Sequence, residues 1–290
     1  MLLAPLALVV LAAFIHATWN LLSKRAAAAG SAFVFAYSLF ACIVYLPWVG
    51  WLLLHGAQRF SLAAAACIVL SGTIHLAYSL CLQRGYQVAD LSVVYPVARG
   101  TGPMLSSIGA FILLGETPST HGVLGLFAVV AGIVLIATQG DLSAFRRPRG
   151  HEGVRWGLTT GALIASYTVV DGYGVKVLGI GPVVLDWFSN FVRVVMLAPL
   201  ILSGRAHIKE AMKGRWLLAL AVGALSPLSY ILVLTALDWG APLSLVAPAR
   251  EMSMMVGAMF GMLILREGLN AWRVAGCLTL LVGVVLLGLH

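Results

Sequence analysis

Long apolar stretches alternate with short polar connections along the whole chain. A helix needs about 20 apolar residues to cross the hydrocarbon core of a bilayer, and ten stretches reach that length. The pattern therefore predicts an all-α integral membrane protein with ten transmembrane helices. The predicted spans, numbered 1 to 10 in chain order, are roughly 3–23, 31–54, 61–83, 89–114, 119–138, 154–175, 181–203, 214–236, 241–265 and 268–289.

The composition excludes several classes of protein. Of 290 residues, 61% are hydrophobic and 10% are charged, whereas a soluble domain carries roughly 25% charged residues. A soluble enzyme, a nucleic-acid binder and a disordered scaffold are therefore excluded. The net charge of +8 comes without a basic tract or arm, so we expect no nucleic-acid partner. The four cysteines lack metal-ligand spacing, and we expect no metal site and no cofactor.

The two halves of the chain share a pattern of polar residues. This predicts a first five-helix repeat at 1–140, a central cytoplasmic loop at 141–153 and a second repeat at 154–290. The matching pairs, at offsets of 151 or 152, are His16 with Tyr167, Asn20 with Asp171, Tyr78 with Tyr230, Arg99 with Arg250, and Glu116 with Glu267. Because five is odd, the second repeat enters the membrane from the opposite side, as in many secondary transporters. The alternative is a duplication with a purely structural outcome.

Basic residues in the loops predict the orientation. If loop n follows span n, thirteen Lys and Arg residues lie in or beside odd-numbered loops, and only Arg59 and Lys176 lie in even-numbered ones. Cytoplasmic loops carry the excess of positive charge. The odd-numbered loops are therefore expected in the cytoplasm and both termini outside.

Polar and ionisable residues inside the spans are the candidates for function. Each ionisable group at membrane depth costs roughly 2.5–3.5 kcal/mol on insertion scales, so such groups face a cavity or a partner. The candidate substrate-binding residues are His16, Trp19, Asn20, His75, Tyr78, Tyr95, Arg99, Tyr167, Asp171, Tyr230, Arg250 and Glu251. Asp171 and Glu251 are also candidates for proton coupling. The alternative for each is a structural hydrogen bond or a permanent ion pair.

Span 7 carries Asp186, Asn190 and Arg193 on one helical face. Asp186 and Arg193 are too far apart along the helix to pair well, and Asn190 lies between them. We interpret these three residues as a structural network bridged by Asn190.

Arginines and carboxylates inside the spans balance at three each, which suits a zwitterionic or polar metabolite better than a bare cation. The sequence contains no HExxH, GxSxG or P-loop motif. The chain is therefore predicted not to be an enzyme, and transport would run on a gradient rather than on ATP.

The chain resembles the EamA-type transporters of the drug/metabolite transporter superfamily. The residues that carry the resemblance are His16-Ala-Thr-Trp-Asn20, Tyr95-Pro-Val-Ala-Arg-Gly-Thr-Gly-Pro103, Ala247-Pro-Ala-Arg-Glu251, Gly115-Glu116 and Arg266-Glu267. The resemblance implies an exporter or exchanger with a central cavity lined by spans 1, 3, 4, 6, 8 and 9, and spans 5 and 10 at the periphery. Small four-helix relatives use a carboxylate in their first helix. This chain has His16 and Asn20 there, so that proton mechanism is not carried over.

Together these features predict a secondary transporter in the bacterial inner membrane. It would move a small polar or zwitterionic metabolite, such as an amino acid, by alternating access around a midplane cavity. Its partners would be the substrate and the lipid bilayer, with the chain as a monomer or homodimer. Two alternatives are a non-transporting scaffold or lipid-flipping accessory protein, and an intramembrane enzyme using His16 and His75, for which the sequence supplies no convincing third group.

Overall fold

The computed structural model describes residues 3–56, 58, 60–88, 91–146, 150–264 and 271–289. Arg59, Arg266 and Glu267 lie outside these ranges. The described part of the chain is helical and contains no strand. Its helices are α1 Leu3–Arg25, α2 Gly30–Leu54, α3 Leu62–Val88, α4 Leu91–Leu113, α5 Thr120–Thr138, α6 Ser143–Arg146, α7 Gly150–Lys176, α8 Pro182–Ser203, α9 Arg205–Ala211, α10 Trp216–Asp238, α11 Leu243–Ala249, α12 Met252–Ile264 and α13 Ala271–Gly288, with a 3₁₀ turn at Ala27–Ala29.

Seven of the described helices are long and apolar enough to cross a membrane. They are α1, α2, α3 (over Leu62–Leu82), α5, α8, α10 and α13, and they coincide with seven predicted spans. The protein is therefore a multi-pass membrane protein. Helices also occupy the other three predicted positions, but α4 and α7 carry more polar residues, and α11 and α12 are short. The count of ten spans stays a prediction.

The span predicted at 241–265 is interrupted, because the chain turns at Arg250 and Glu251 between α11 and α12. Pro248 lacks a backbone N–H and disfavours a regular helix around it. Around the turn, the amides of Ser253 and Met254 bond to the carbonyl oxygens three residues earlier, at 3.2 and 2.9 Å. The break places two charged side chains deep inside the protein.

Apolar side chains cover much of the outside of the helices, and several charged side chains of the spans lie inside. Leu62 is 89% exposed and Leu217 is 76% exposed, whereas Arg99 is 6% exposed and Glu251 is fully buried. This arrangement is the one expected where lipid, rather than water, surrounds the helices. The buried charged side chains Arg99, Arg250 and Glu251 lie close to one another.

The two halves of the chain interlock instead of forming separate lobes. Helix α4 packs against α7, and α1 packs against α11 and α12. Helix α3 packs against α7, α1 against α10, α2 against α8, and α5 against α13. The main hydrophobic core accordingly draws residues from both halves, including Val9 of α1, Ile133 of α5, Leu185 of α8 and Leu280 of α13.

Glycine allows the close approach of α4 and α7, the two helices that carry Arg99 and Asp171. A Cβ atom on Gly161 of α7 would lie 2.8 Å from Cβ of Thr101 and 3.0 Å from the carbonyl oxygen of Ala98. The second of these neighbours is backbone of α4, which cannot move aside without shifting the helix. Gly161 therefore sets the separation of the two helices near Arg99.

Gly161→Ala is expected to lower the free energy of unfolding by about 1–3 kcal/mol, because overpacking forces the helices apart. The matched control is Gly257→Ala in α12, where a Cβ atom would meet nothing within 4 Å. That change is expected to leave stability unchanged or raise it slightly, since alanine favours a helix over glycine. Unfolding of the two purified variants in mild detergent measures the difference. Equal stabilities would contradict the role assigned to Gly161.

Candidate functional site

Arg99 lies where α1, α4 and the turn between α11 and α12 meet. Its Nη1 donates to both carboxylate oxygens of Glu251, at 3.3 and 3.2 Å, and its Nη2 lies 2.8 Å from Nε2 of His16. Its guanidinium carbon also lies 5.4 Å from the ring centroid of Tyr95. One buried side chain thus connects three parts of the chain.

Glu251 lies between two arginines in the turn that follows α11. Besides its hydrogen bonds with Arg99, its Oε1 lies 3.8 Å from Nε of Arg250. The Arg250 guanidinium also faces the ring of Tyr167 at 5.9 Å, a geometry for a cation–π interaction. These three charged groups form a cationic cluster with a net charge of +1, one carboxylate against two guanidinium groups.

Asp171 of α7 is the centre of a second cluster. Its Oδ2 accepts hydrogen bonds from the Tyr230 hydroxyl at 2.5 Å and from Nε2 of His75 at 3.0 Å. The His75 ring stacks on the Tyr167 ring with a centroid separation of 3.9 Å. The Tyr78 ring makes a T-shaped contact with the Tyr167 ring at a centroid separation of 5.5 Å. Tyr167 therefore contacts both the cationic cluster and this acidic cluster.

The structure joins all twelve candidate binding residues into one series of contacts. Trp19 contacts the His16 ring at 4.7 Å and donates from Nε1 to the Ser229 hydroxyl at 3.1 Å. Asn20 donates to the Tyr95 hydroxyl at 3.5 Å. Their role in binding a substrate stays a prediction.

Two buried polar atoms of the clusters have no hydrogen-bond partner among the described residues. They are the donor Nε of Arg250 and the acceptor Oδ1 of Asp171. A buried polar group without a partner costs about 1–3 kcal/mol. One cluster can therefore receive an anionic group and the other a cationic group.

A small pocket opens beside Arg99, lined by Asn20, Tyr78, Leu82, Tyr95, Ala98, Arg99 and Ile164. Its lining residues on α1 and α3 lie toward the ends of these helices that lead into loops 1 and 3. The pocket therefore lies on the side of the odd-numbered loops, which the loop charges predict to face the cytoplasm.

Glu116 forms a contact on the opposite side that the sequence did not predict. Its carboxylate accepts hydrogen bonds from the backbone amides of Leu243 and Ser244, at 2.6 and 2.9 Å, and from Nζ of Lys176 at 3.2 Å. Lys176 also donates to the carbonyl oxygen of Ala241 at 2.8 Å. The sequence singled out Glu116 through its repeat position, but nothing in it indicated these partners. The contact fastens the α4–α5 connection to the ends of α7 and α11.

The pKa of Glu116 is lowered from its ordinary value. Burial alone would raise it, but the hydrogen bonds from Ser244 and Leu243 and the charge of Lys176 together outweigh burial. A carboxyl group whose pKa is lower in the folded state stabilises that state at neutral pH. The stabilisation is lost as the pH falls through the pKa of the folded state.

Glu116→Gln is expected to lower the free energy of unfolding at neutral pH by on the order of 1–3 kcal/mol, because it weakens hydrogen bonds to a charged group. The difference from the unsubstituted protein should shrink as the pH is lowered, since the natural carboxylate is then protonated as well. Thermal unfolding of both proteins over an acidic pH series measures it. A difference that stays constant throughout the series would contradict the assignment.

The polar residues of span 7 form the expected network within α8. Asn190 donates from Nδ2 to Asp186 Oδ2 at 3.0 Å, and its Oδ1 accepts from Nη2 of Arg193 at 2.8 Å. The prediction that Asn190 bridges the two charged residues is confirmed. The three residues provide a reference for changes made in the clusters.

Comparison with known proteins adds family information to this geometry. The model of the EamA-like transporter family matches residues 3–138. Two curated relatives, both called multidrug resistance protein EbrB, are 37% identical over 79 residues in Bacillus subtilis (strain 168) and 40% identical over 79 residues in Bacillus atrophaeus. Each match covers 27% of this chain and 62% of the relative, so the chain spans less than two thirds of the length of these relatives.

A solved structure described only as "Crystal structure of protein" superposes on 98% of this chain and 98% of its own, with a TM-score of 0.73. The sequence identity is 13%. The likeness supports the helical fold and says nothing further about activity.

Proposed function

We propose that the chain is a transporter of the EamA-like family, whose model matches residues 3–138. It would be a transporter of the drug/metabolite superfamily in the bacterial inner membrane. Within that class, it would be a secondary active exporter or exchanger of a small polar or zwitterionic metabolite such as an amino acid. Substrate would bind at the twelve connected residues.

The observation that carries this proposal is the pair of buried atoms near Tyr167 that have no hydrogen-bond partner among the described residues. A substrate carboxylate would accept a hydrogen bond from Nε of Arg250, and a substrate ammonium group would donate to Oδ1 of Asp171. Charge-assisted hydrogen bonds of this kind are roughly twice as strong as neutral ones. The rings of Tyr167 and Tyr78 would contact the body of the substrate.

Helix packing supports ten spans arranged as two inverted repeats. Under the repeat, α1 corresponds to α7, α3 to α10, and α4 to α11 and α12. The contact of α4 with α7 then corresponds to that of α11 and α12 with α1, and the contact of α1 with α10 to that of α7 with α3. The contacts of Arg99 with His16 and of Arg250 with Tyr167 are also equivalent under the offset of 151. Rocking of two such halves would give alternating access.

The described conformation favours entry of a substrate from the side of the membrane that carries the odd-numbered loops. Glu116 fastens the even-loop side, and the small pocket beside Arg99 lies toward the odd loops. If the odd loops are cytoplasmic, a substrate would enter from the cytoplasm and leave on the other side. The name of the EbrB relatives, multidrug resistance protein, is consistent with efflux.

Asp171 and Glu251 are the carboxylates available for proton coupling. Protonation of Asp171 would disturb the hydrogen bonds from His75 and Tyr230, and protonation of Glu251 would leave two arginines without a counterion. Either event would change the preference of the site for a charged substrate.

A ligand screen followed by transport tests the function. The twenty standard amino acids are each added to the purified protein, and those that raise its unfolding temperature are tested for counterflow in proteoliposomes at two pH values. Alanine is compared with propionate and ethylamine, which each retain one of its two charged groups. We expect stabilisation and flux only with both groups present. Absence of binding and of flux across the panel would overturn the proposal and favour the scaffold.

A further inference from the structure

The contact between Arg99 and His16 determines the protonation state of the histidine. A guanidinium group has only N–H donors and no acceptor. Nη2 of Arg99 lies 2.8 Å from Nε2 of His16, so this nitrogen must be the acceptor. His16 is therefore neutral in the described conformation, with its proton on Nδ1.

Protonation of His16 and its hydrogen bond with Arg99 exclude each other. A proton added to Nε2 would point at the N–H groups of Arg99 and place two positive charges 2.8 Å apart. The charged and titratable groups around His16 are Arg99 and Tyr95 from α4, and Arg250 and Glu251 from the turn between α11 and α12. From α10, the neutral hydroxyl of Ser229 bonds to the adjacent Trp19.

We propose that His16 is a proton-binding group of the substrate site, and that its protonation releases Arg99 to bind a carboxylate. The proton comes from water, adds to Nε2 and breaks only the hydrogen bond with Arg99. It raises the charge of His16 and the cationic cluster together from +1 to +2, which favours an anionic group. By linkage, carboxylate binding favours proton uptake to the same degree. The inference rests on the proposed substrate site and adds a proton site to it.

The first test measures proton binding without any substrate. Trp19 contacts the His16 ring at 4.7 Å, and an imidazolium quenches the fluorescence of a neighbouring indole more than a neutral imidazole does. The full-length protein is titrated in detergent from about pH 8 to about pH 4, which includes the usual range of histidine. All proteins in this titration also carry His55→Gln, because the exposed His55 ring contacts Trp51 at 4.6 Å. We expect a loss of fluorescence that disappears in His16→Gln, where the amide oxygen can still accept from Arg99. It should also disappear in Trp19→Phe.

His121→Gln is the matched control, because His121 is an exposed histidine near the start of α5. It should keep the full fluorescence change. An identical titration in His16→Gln and the unsubstituted protein would overturn the inference, and so would the absence of any fluorescence change in the unsubstituted protein.

The second test measures linkage with an amino acid that binds in the panel screen. Its affinity should rise as the pH falls, by up to about tenfold per pH unit for one linked proton, and His16→Gln should remove that dependence. A pH dependence unaltered by His16→Gln would overturn the inference while leaving transport intact. If no amino acid binds but the fluorescence change depends on His16, the proton site stands and the proposed function fails.

Discussion

Glu251→Gln is expected to lower the free energy of unfolding by about 3–5 kcal/mol, because removing one partner of a buried ion pair leaves the other charge without a counterion. Arg99 and Arg250 are 6% and 3% exposed and share this one carboxylate. Glutamine keeps the shape of the side chain but removes the negative charge. Two guanidinium groups would then remain inside the protein without a counterion. Chemical unfolding in mixed detergent measures the loss.

A second substitution tests whether charge is the cause. Arg250→Met, added to Glu251→Gln, removes the arginine whose Nε has no hydrogen-bond partner and returns the cluster to +1. We expect most of the stability to return, while amino-acid counterflow stays lost because a substrate-binding arginine is missing. If Glu251→Gln alone is as stable as the unsubstituted protein, Glu251 already carries a proton in the resting state.

Asp171→Asn is expected to abolish recognition of the substrate ammonium group with little effect on folding. The amide oxygen of asparagine can still accept from Tyr230 and His75, but its NH₂ group would replace the free acceptor Oδ1. A hydrogen bond to a charged group contributes about 1.5–3 kcal/mol, so affinity should fall by about 10- to 150-fold. Binding and counterflow of the amino acid found in the screen measure the change.

The matched control is Asp186→Asn, the other buried aspartate described in the helices. Asp186 lies in the network of α8 with Asn190, outside the twelve candidate residues. Its substitution should lower amino-acid affinity much less than Asp171→Asn does, because Asp186 forms its hydrogen bonds with Asn190 of its own helix and none with the twelve candidate residues. Equal losses in the two variants would show that Asp171 has no special role in binding.

Much of the site could be predicted from sequence because the chemistry of a membrane interior restricts where polar groups lie. His75, Asp171 and Tyr230 were expected to face a partner or a cavity, and they meet one another. The pairing of equivalent residues in the two halves, such as Arg99 and Arg250, also identified the central region. The polarity of each residue within an otherwise apolar span was sufficient for these conclusions.

Tertiary contacts were not predictable in the same way. Nothing local to Glu116 indicates that it bonds to the amides of Leu243 and Ser244, more than 120 residues later. The sequence also does not indicate that the helix ends at Ala249 and restarts at Met252, because the apolar run continues on both sides of Arg250 and Glu251. Both features depend on which helix lies opposite, and a single sequence pattern does not contain that information.

The bond between Arg99 and Glu251 also has a consequence for biosynthesis, since its partners are 152 residues apart in the chain. A nascent polypeptide grows by about 5–20 residues per second, so roughly 8–30 s pass between the synthesis of the arginine and of its carboxylate. During that interval His16 of the first half can already accept from Arg99, but the carboxylate of the turn between α11 and α12 is absent. A chain truncated in this interval therefore lacks the carboxylate that pairs with Arg99 in the finished protein.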